Sequence, residues 1–155
     1  MARKSRNNAG YGLVILAAVV FIFVLNGLPA RKAAIDFSGD GSGGGISITA
    51  EVADTPFLRE KGLMFIRSLP QNSGMLFIFE SPRELRFWMK NTLIPLDMIF
   101  VSENFTIVNI AENAQPCAAD CPLYYSAAPA KYVVETNAGF AKENGIRVGN
   151  NVVIE

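Results

Sequence analysis

The chain of 155 residues contains no histidine, which excludes catalytic and metal-binding sites that depend on imidazole. Without imidazole there is no Ser-His-Asp or Cys-His nucleophile system, and most transition-metal sites lose their usual nitrogen ligand. Any catalysis would have to use a carboxylate, a lysine, a tyrosine or a cysteine. We therefore expect no catalytic residue, no metal site and no cofactor, and the common histidine-dependent hydrolases are excluded.

Charged residues are also missing between Arg6 and Arg31. Residues 13–25 form an unbroken apolar run, and residues 9–28 supply about 20 residues, enough to cross a hydrocarbon core of roughly 30 Å as a helix. Basic residues precede the run, which predicts an N-terminus in the cytoplasm and the remainder outside. Whether residues 1–29 are a retained signal anchor or a cleaved signal peptide stays open, because the apolar core is short enough for cleavage but a poor site follows it.

The charge distribution separates the N-terminal region from the rest of the chain. All 14 acidic residues lie from Asp36 onward, and five of the 14 basic ones lie beside the apolar run, so the exported part carries nine basic and 14 acidic residues. This balance argues against nucleic acid as a partner. The expected partner is the cytoplasmic membrane, contacted through the N-terminal helix.

Residues 30–45 end in a glycine-rich stretch and predict a flexible linker, followed by an exported domain at residues 46–155.

Short segments with a two-residue hydrophobic period dominate residues 46–155. The segment 46–53 alternates apolar and polar side chains as a half-buried strand does, and the apolar segment 75–79 suits a strand buried on both faces. Other strands are predicted at residues 85–90, 98–101, 106–111, 131–136 and 152–154, a hairpin turn at 102–104, and short helices at 55–62 and 140–144. This pattern indicates an all-β sandwich or barrel with one or two short helices.

The chain has two cysteines, Cys117 and Cys121, in a loop bounded by prolines. In an exported protein a disulfide is the default state of such a pair, and here it would fix the shape of residues 115–125. A redox pair is an alternative, although the spacing is not CxxC. Metal ligation is another, although two cysteines without histidine make an incomplete site.

The densest group of polar side chains lies between residues 85 and 97. Two sets alternate along the predicted strand there: Leu85, Phe87 and Met89 on one face, and Arg86, Trp88 and Lys90 on the other. The only tryptophan lies between two cations and offers a platform for a sugar ring or another flat ligand. The candidate ligand-binding residues are Arg86, Trp88, Lys90, Asn91, Asp97 and Tyr124.

Other interpretations of these residues stay open. Asn91 can hold a turn, Asp97 can accept hydrogen bonds from buried backbone N–H groups, and Trp88 can cover the sheet. An enzyme using Lys90 and Asp97 is one alternative function. A copper carrier built on Met64, Met75, Met89 and Met98 is another, although methionine mainly fills cores.

Several motifs carry a resemblance to a known family. They are GLMF (62–65), GMLF (74–77), FWMKNTLIPLD (87–97) and GIRVG (145–149), together with the Pro-Cys and Cys-Pro pairs. FWMKNT followed by IPLD is the specific one, and the whole resembles domain of unknown function 192, a family of small proteins without an established activity. The resemblance covers nearly all of residues 46–154 and implies a compact jelly-roll β-sandwich. The expected function is an exported binding or accessory module of the cell envelope, with a small-molecule or glycan ligand.

The charge order around residues 13–25 predicts export. A reporter enzyme that is active only outside the cytoplasm, fused after Glu155, should be active in cells. A stable fusion without reporter activity would contradict the prediction.

Overall fold

The computed structural model describes residues 30–38 and 45–155. The predicted signal helix and most of the glycine-rich stretch therefore lie outside the described residues. Within the described ranges, no helix is both long and apolar enough to span a membrane.

Nine strands and two short helices make up the described part of the chain. In order they are β1 Lys32–Phe37, β2 Ile46–Ala53, α1 Pro56–Lys61, β3 Ser73–Arg83, β4 Arg86–Phe87, β5 Leu96–Val101, β6 Ile107–Ala114, β7 Tyr124–Tyr125, β8 Ala130–Asn137, α2 Phe140–Glu143 and β9 Val152–Ile154. The predicted strands and both helices are confirmed, although the strand predicted at residues 85–90 is regular only over β4.

The prediction of a flexible linker over residues 30–45 was wrong for β1. Ile35 and Phe37 are buried, and β1 pairs antiparallel with β2 along its whole length, from Lys32 opposite Glu51 to Phe37 opposite Ile46. The physical reason is a two-residue hydrophobic alternation that the neighbouring glycines obscure in the sequence. The compact unit accordingly runs from Arg31 to Glu155.

Seven of the strands form one mixed sheet in the order β6-β5-β8-β3-β2-β1-β9, and β4 and β7 form a separate two-stranded ribbon. Only β2 and β3 pair in parallel, and the crossover between them contains α1. The all-β prediction is confirmed, but the jelly-roll sandwich of two facing sheets is corrected to one curled sheet. An isolated bridge between Thr106 and Asn151 joins the ends of the two edge strands, so the curl brings β6 and β9 together.

The curled sheet buries apolar side chains on both of its faces. The α2-side core includes Ile35, Phe37, Ile48, Leu76, Ile99, Val134 and Phe140. The cleft-side core includes Leu63, Phe77, Phe79, Leu85, Met89, Met98, Phe100 and Val133. Successive residues of the central strands alternate between the two cores, as the pleat of a strand requires.

Asp97 is fully buried on the α2 side of β5 and organises the chain around it. Its Oδ1 accepts hydrogen bonds from the N–H groups of Asn113, at 2.8 Å, and Gly139, at 3.1 Å, and its Oδ2 accepts one from Ala141 at 2.9 Å. Gly139 is the N-cap of α2 and offers no side chain of its own. The carboxylate from β5 therefore caps the helix and also fixes β6 at Asn113, whose φ is 52°.

We expect Asp97→Ala to destabilise the fold by about 3 kcal/mol or more, because three backbone donors would lose their acceptor at a buried position. Asp97→Asn should cost less, on the order of 1 to 3 kcal/mol, since the amide keeps one oxygen acceptor. Urea unfolding measures both losses, and Glu112→Gln, an exposed change on β6, is the control. An Asp97→Ala loss no larger than that of the control would contradict the capping role.

Candidate functional site

A cleft of about 350 Å³ opens on the face of the sheet opposite α2, between α1, β3 and the segment that follows β4. We call it the Trp88 cleft. It is lined by Pro56, Arg59, Glu60, Lys61, Gly62, Leu63, Met64, Phe77, Phe79, Arg83, Arg86, Phe87, Trp88, Lys90, Thr92 and Glu135.

The alternation predicted for residues 85–90 places three polar or aromatic side chains at this cleft. Leu85 and Met89 are buried in the cleft-side core, whereas Arg86, Trp88 and Lys90 are exposed. Phe87, on the apolar side, packs edge-on against Phe77, Phe79 and Phe100 with ring centroids 5.0, 6.3 and 5.8 Å away. These contacts fix the backbone that carries the exposed residues.

Trp88 is a surface residue of the cleft. Its side chain is 44% exposed, and the Lys90 ammonium lies 5.5 Å from the ring centroid. At this distance the cation is attracted to the face of the indole. The tryptophan is thus held beside a charge while much of its ring stays open to a ligand.

The disulfide loop supports this segment from outside the cleft. Cys117 and Cys121 are bonded to each other, which confirms the predicted disulfide. The Cys117 carbonyl accepts a hydrogen bond from the Asn91 N–H at 2.9 Å, and the Cys117 N–H donates to Met89 O at 3.2 Å. Lys90 is therefore held between two backbone contacts to the closed loop.

Asn91 supports the cleft but does not line it. Its backbone has a left-handed φ of 57°, its carbonyl accepts from the Phe65 N–H at 2.9 Å, and its amide nitrogen lies 4.0 Å from Met64 Sδ. Asparagine tolerates this conformation better than most residues. Asn91 thus joins the GLMF segment to the Lys90 turn, mainly through its backbone groups.

Asp97 and Tyr124 are corrections to the predicted site. Asp97 caps α2 on the opposite face of the sheet, and it does not meet Lys90. Tyr124 pairs with Phe87 across the ribbon and packs half-buried against the cleft-side core. Asp97 follows the alternative interpretation, in which its carboxylate accepts hydrogen bonds from buried backbone N–H groups. A carboxylate or phenol in an apolar stretch looks the same in sequence whether it binds a ligand or holds the fold.

Sequence reasoning missed the residues that distant segments bring to the cleft. The Arg59 guanidinium, from α1, lies 5.1 Å from the Phe79 ring centroid, and that of Arg83, at the end of β3, lies 5.0 Å from it. Arg59 Nη1 also donates to the carbonyls of Asp54 and Ile78, at 2.7 and 2.8 Å. No local sequence signal marks these residues, because only the parallel crossover brings α1 over β3.

The charge of the cleft differs in sign from that of the surrounding domain. Of the nine basic residues after Lys32, five line it: Arg59, Lys61, Arg83, Arg86 and Lys90. Only two of the 14 acidic residues line it, Glu60 and Glu135, which leaves four basic and 12 acidic residues elsewhere. A local positive potential therefore lies within an acidic domain.

Glu135 lies on the central strand β8 and faces the Trp88 cleft from its buried side. Its side chain is 5% exposed, and no side-chain hydrogen bond to it occurs within the described ranges. Burial raises the pKa of its carboxyl from the ordinary 4.5 to about 8. The group is mostly protonated at neutral pH, so it does not cancel the positive charge and can donate a hydrogen bond into the cleft.

The sequence profile of DUF192, described as "Uncharacterized ACR", matches residues 39–154. The chain belongs to the DUF192 family. This confirms the resemblance carried by FWMKNT and IPLD. No curated protein matches the chain.

Two solved structures are similar to this DUF192 domain. A proposed transcription regulator from Sinorhizobium meliloti is 37% identical with a TM-score of 0.77, over 83% of this chain and 97% of the other. A protein of unknown function from Novosphingobium aromaticivorans is 38% identical with a TM-score of 0.72, over 77% of this chain and 83% of the other. Their descriptions establish no activity for the family.

The position of Glu135 makes stability depend on pH. The folded chain retains a proton that the unfolded chain releases between pH 4.5 and about 8, so this stabilisation is complete below pH 4.5 and is lost as the pH rises through about 8. Glu135→Gln removes the titration. Relative to this variant, the wild type should lose roughly 4 kcal/mol of unfolding free energy between about pH 4.5 and about pH 9.

Urea unfolding at a series of pH values measures the loss. Glu112→Gln, which removes an exposed carboxylate from β6, should keep the wild-type pH dependence. Parallel pH profiles for the wild type and Glu135→Gln would show that the buried carboxyl does not titrate as described.

Proposed function

We propose that the chain is an exported, non-catalytic binding module of the cell envelope whose Trp88 cleft holds a small-molecule or glycan ligand. The observation that carries the proposal is the half-exposed Trp88 beside a cleft of about 350 Å³ with aromatic walls. This volume lies within the about 300 to 1,000 Å³ typical of small-molecule sites. Half of the lining residues are charged or polar, which is a larger share than such sites usually have.

The alternative functions lose their geometric support. An enzyme built on Lys90 and Asp97 needs the two side chains in one site, but Asp97 is used entirely as an acceptor on the other face of the sheet. A copper carrier needs several methionine sulfurs open to the metal, but of the four methionines Met89 and Met98 are fully buried in the cleft-side core, and only Met64 and Met75 are partly exposed.

The description of the S. meliloti relative does not favour DNA binding for this chain. The helices in the described ranges have six and four residues, too short for the usual recognition helix in a major groove. The basic side chains surround a concave cleft, and the remaining surface is acidic. A duplex needs an extended basic face instead.

Location outside the cytoplasm remains part of the proposal. It is supported by the charge order before residue 31, and the Cys117–Cys121 disulfide fits an oxidising compartment. An envelope module tethered near the membrane would meet small molecules and glycan fragments at its exposed cleft.

Trp88 is the only tryptophan in the chain, so its fluorescence reports directly on the proposed site. We expect a screen of soluble envelope glycan fragments and small organic molecules to find ligands that change its emission. Isothermal titration should then show binding to the wild type and roughly tenfold weaker binding to Trp88→Leu, since the stacking surface is lost.

Phe105→Leu is the matched control, because Phe105 is an exposed aromatic residue that does not line the cleft. Its affinity should equal that of the wild type. Loss of more than about 3 kcal/mol of stability in Trp88→Leu would instead identify a core residue. That result, or a screen in which no compound binds, would contradict the proposed function.

A further inference from the structure

Within residues 30–38 and 45–155, the five basic residues of the Trp88 cleft form no ion pair. In the part of the chain that the structure describes, the ion pairs are Arg31 with Asp54 and Lys131 with Glu103, and neither involves a basic residue of the cleft. Like charges gathered at one place repel each other, and a low-dielectric cleft concentrates their field. The aromatic rings and carbonyls that these cations contact do not neutralise their charge, so a bound anion would lower the repulsion between them.

The apolar part of the cleft lies deeper than its charges. Leu63, Phe77 and Phe79 are buried, whereas Lys61, Arg83, Arg86 and Lys90 are exposed. Apolar side chains thus form the floor, where the guanidiniums of Arg59 and Arg83 lie over the ring of Phe79, and exposed cations form the rim. A hydrated inorganic anion would neutralise the rim charges but leave the apolar floor in contact with water. A ligand with an apolar body would also remove that floor from water, and is therefore favoured.

Acidic side chains do little to offset the rim. Glu60 is the one acidic residue of the exposed lining, and the carboxyl of Glu135 is buried at the floor. A neutral sugar could stack on Trp88 but would leave the rim charges unbalanced. The Lys90 ammonium lies over Trp88, and the Arg86 guanidinium lies 5.9 Å from the Tyr125 ring centroid. An anionic group beside Trp88 would therefore meet Lys90 directly and lie in the field of Arg86.

We infer that the Trp88 cleft, if it has the binding function proposed above, selects small amphiphilic organic anions. The anionic group lies at the rim with Arg86 and Lys90, and the apolar body lies on the floor formed by Leu63, Phe77 and Phe79. Specificity then requires both an anionic group and an apolar body in one ligand, because the first contacts the rim and the second contacts the floor.

A matched set of soluble probes separates charge from apolar contact: 3-phenylpropanoate, its uncharged analogue 3-phenylpropanamide, and acetate. Each is titrated into the full chain at low salt, and Trp88 emission is recorded at wavelengths that the phenyl ring does not absorb. We expect 3-phenylpropanoate to bind at least about tenfold more tightly than the amide, through the rim charges. It should exceed acetate by a similar or larger factor, through the buried phenyl ring.

The variant Arg86→Gln/Lys90→Gln tests the rim directly. This variant should prefer the acid over the amide by about threefold or less. In the wild type, high salt should weaken binding of the acid but not of the amide, because salt screens the rim charges. Lys142→Gln is the control, because Lys142 is an exposed cation on α2 that does not line the cleft. It should keep the full preference.

The outcomes distinguish this inference from the proposed function. Equal affinity for acid and amide overturns the selection of anions but leaves a binding cleft intact. Acetate binding as tightly as 3-phenylpropanoate overturns the role of the apolar floor. A preference for the acid that survives in Arg86→Gln/Lys90→Gln places the anion elsewhere. Absence of binding by all three probes counts against the inference, and the wider screen described above then decides whether the cleft binds anything.

Discussion

The buried carboxylate of Asp97 is the constraint on which the arrangement of the chain depends. Three backbone donors from β6 and the start of α2 meet at its two oxygens. Because neighbouring residues of a strand face opposite sides of a sheet, the same strand directs Leu96 and Met98 into the core beneath the cleft. Asp97 thus holds β6 and α2 on one face of the sheet, while Leu96 and Met98 pack beneath the Trp88 cleft on the other face.

The cleft itself depends on a segment with very little regular structure. Only Arg86 and Phe87 belong to a strand, and the turn that follows is held by the GLMF segment and the disulfide loop. Phe87 anchors it through edge-on contacts with three phenylalanine rings. Rigid aromatic packing under an irregular loop keeps Arg86, Trp88 and Lys90 exposed without weakening the core.

The positions of the strands and helices could be predicted from the sequence better than the order of the strands in the sheet. Hydrophobic alternation identified β2 and the exposed side of Trp88, and short apolar segments indicated β3 and β5, because these patterns are local. It could not show the sheet order, since alternation tells which face is buried but not which strand lies alongside. Glycines obscured β1. Arg59, Arg83 and Glu135 were missed because separate segments bring them to the cleft. The sequence left Asp97 open between a ligand contact and an acceptor of buried backbone N–H groups, because a capping carboxylate has no distinctive neighbours.

The covalent closure between Cys117 and Cys121 links the cleft to the redox state of its surroundings. The loop that it closes exchanges backbone hydrogen bonds with Met89 and Asn91, the two residues on either side of Lys90. In a reducing environment the thiols would stay separate, and the rim would lose the restraint that orients this lysine. Oxidation of the loop would therefore affect the shape of the rim, whereas the floor depends on apolar packing around Phe77 and Phe79.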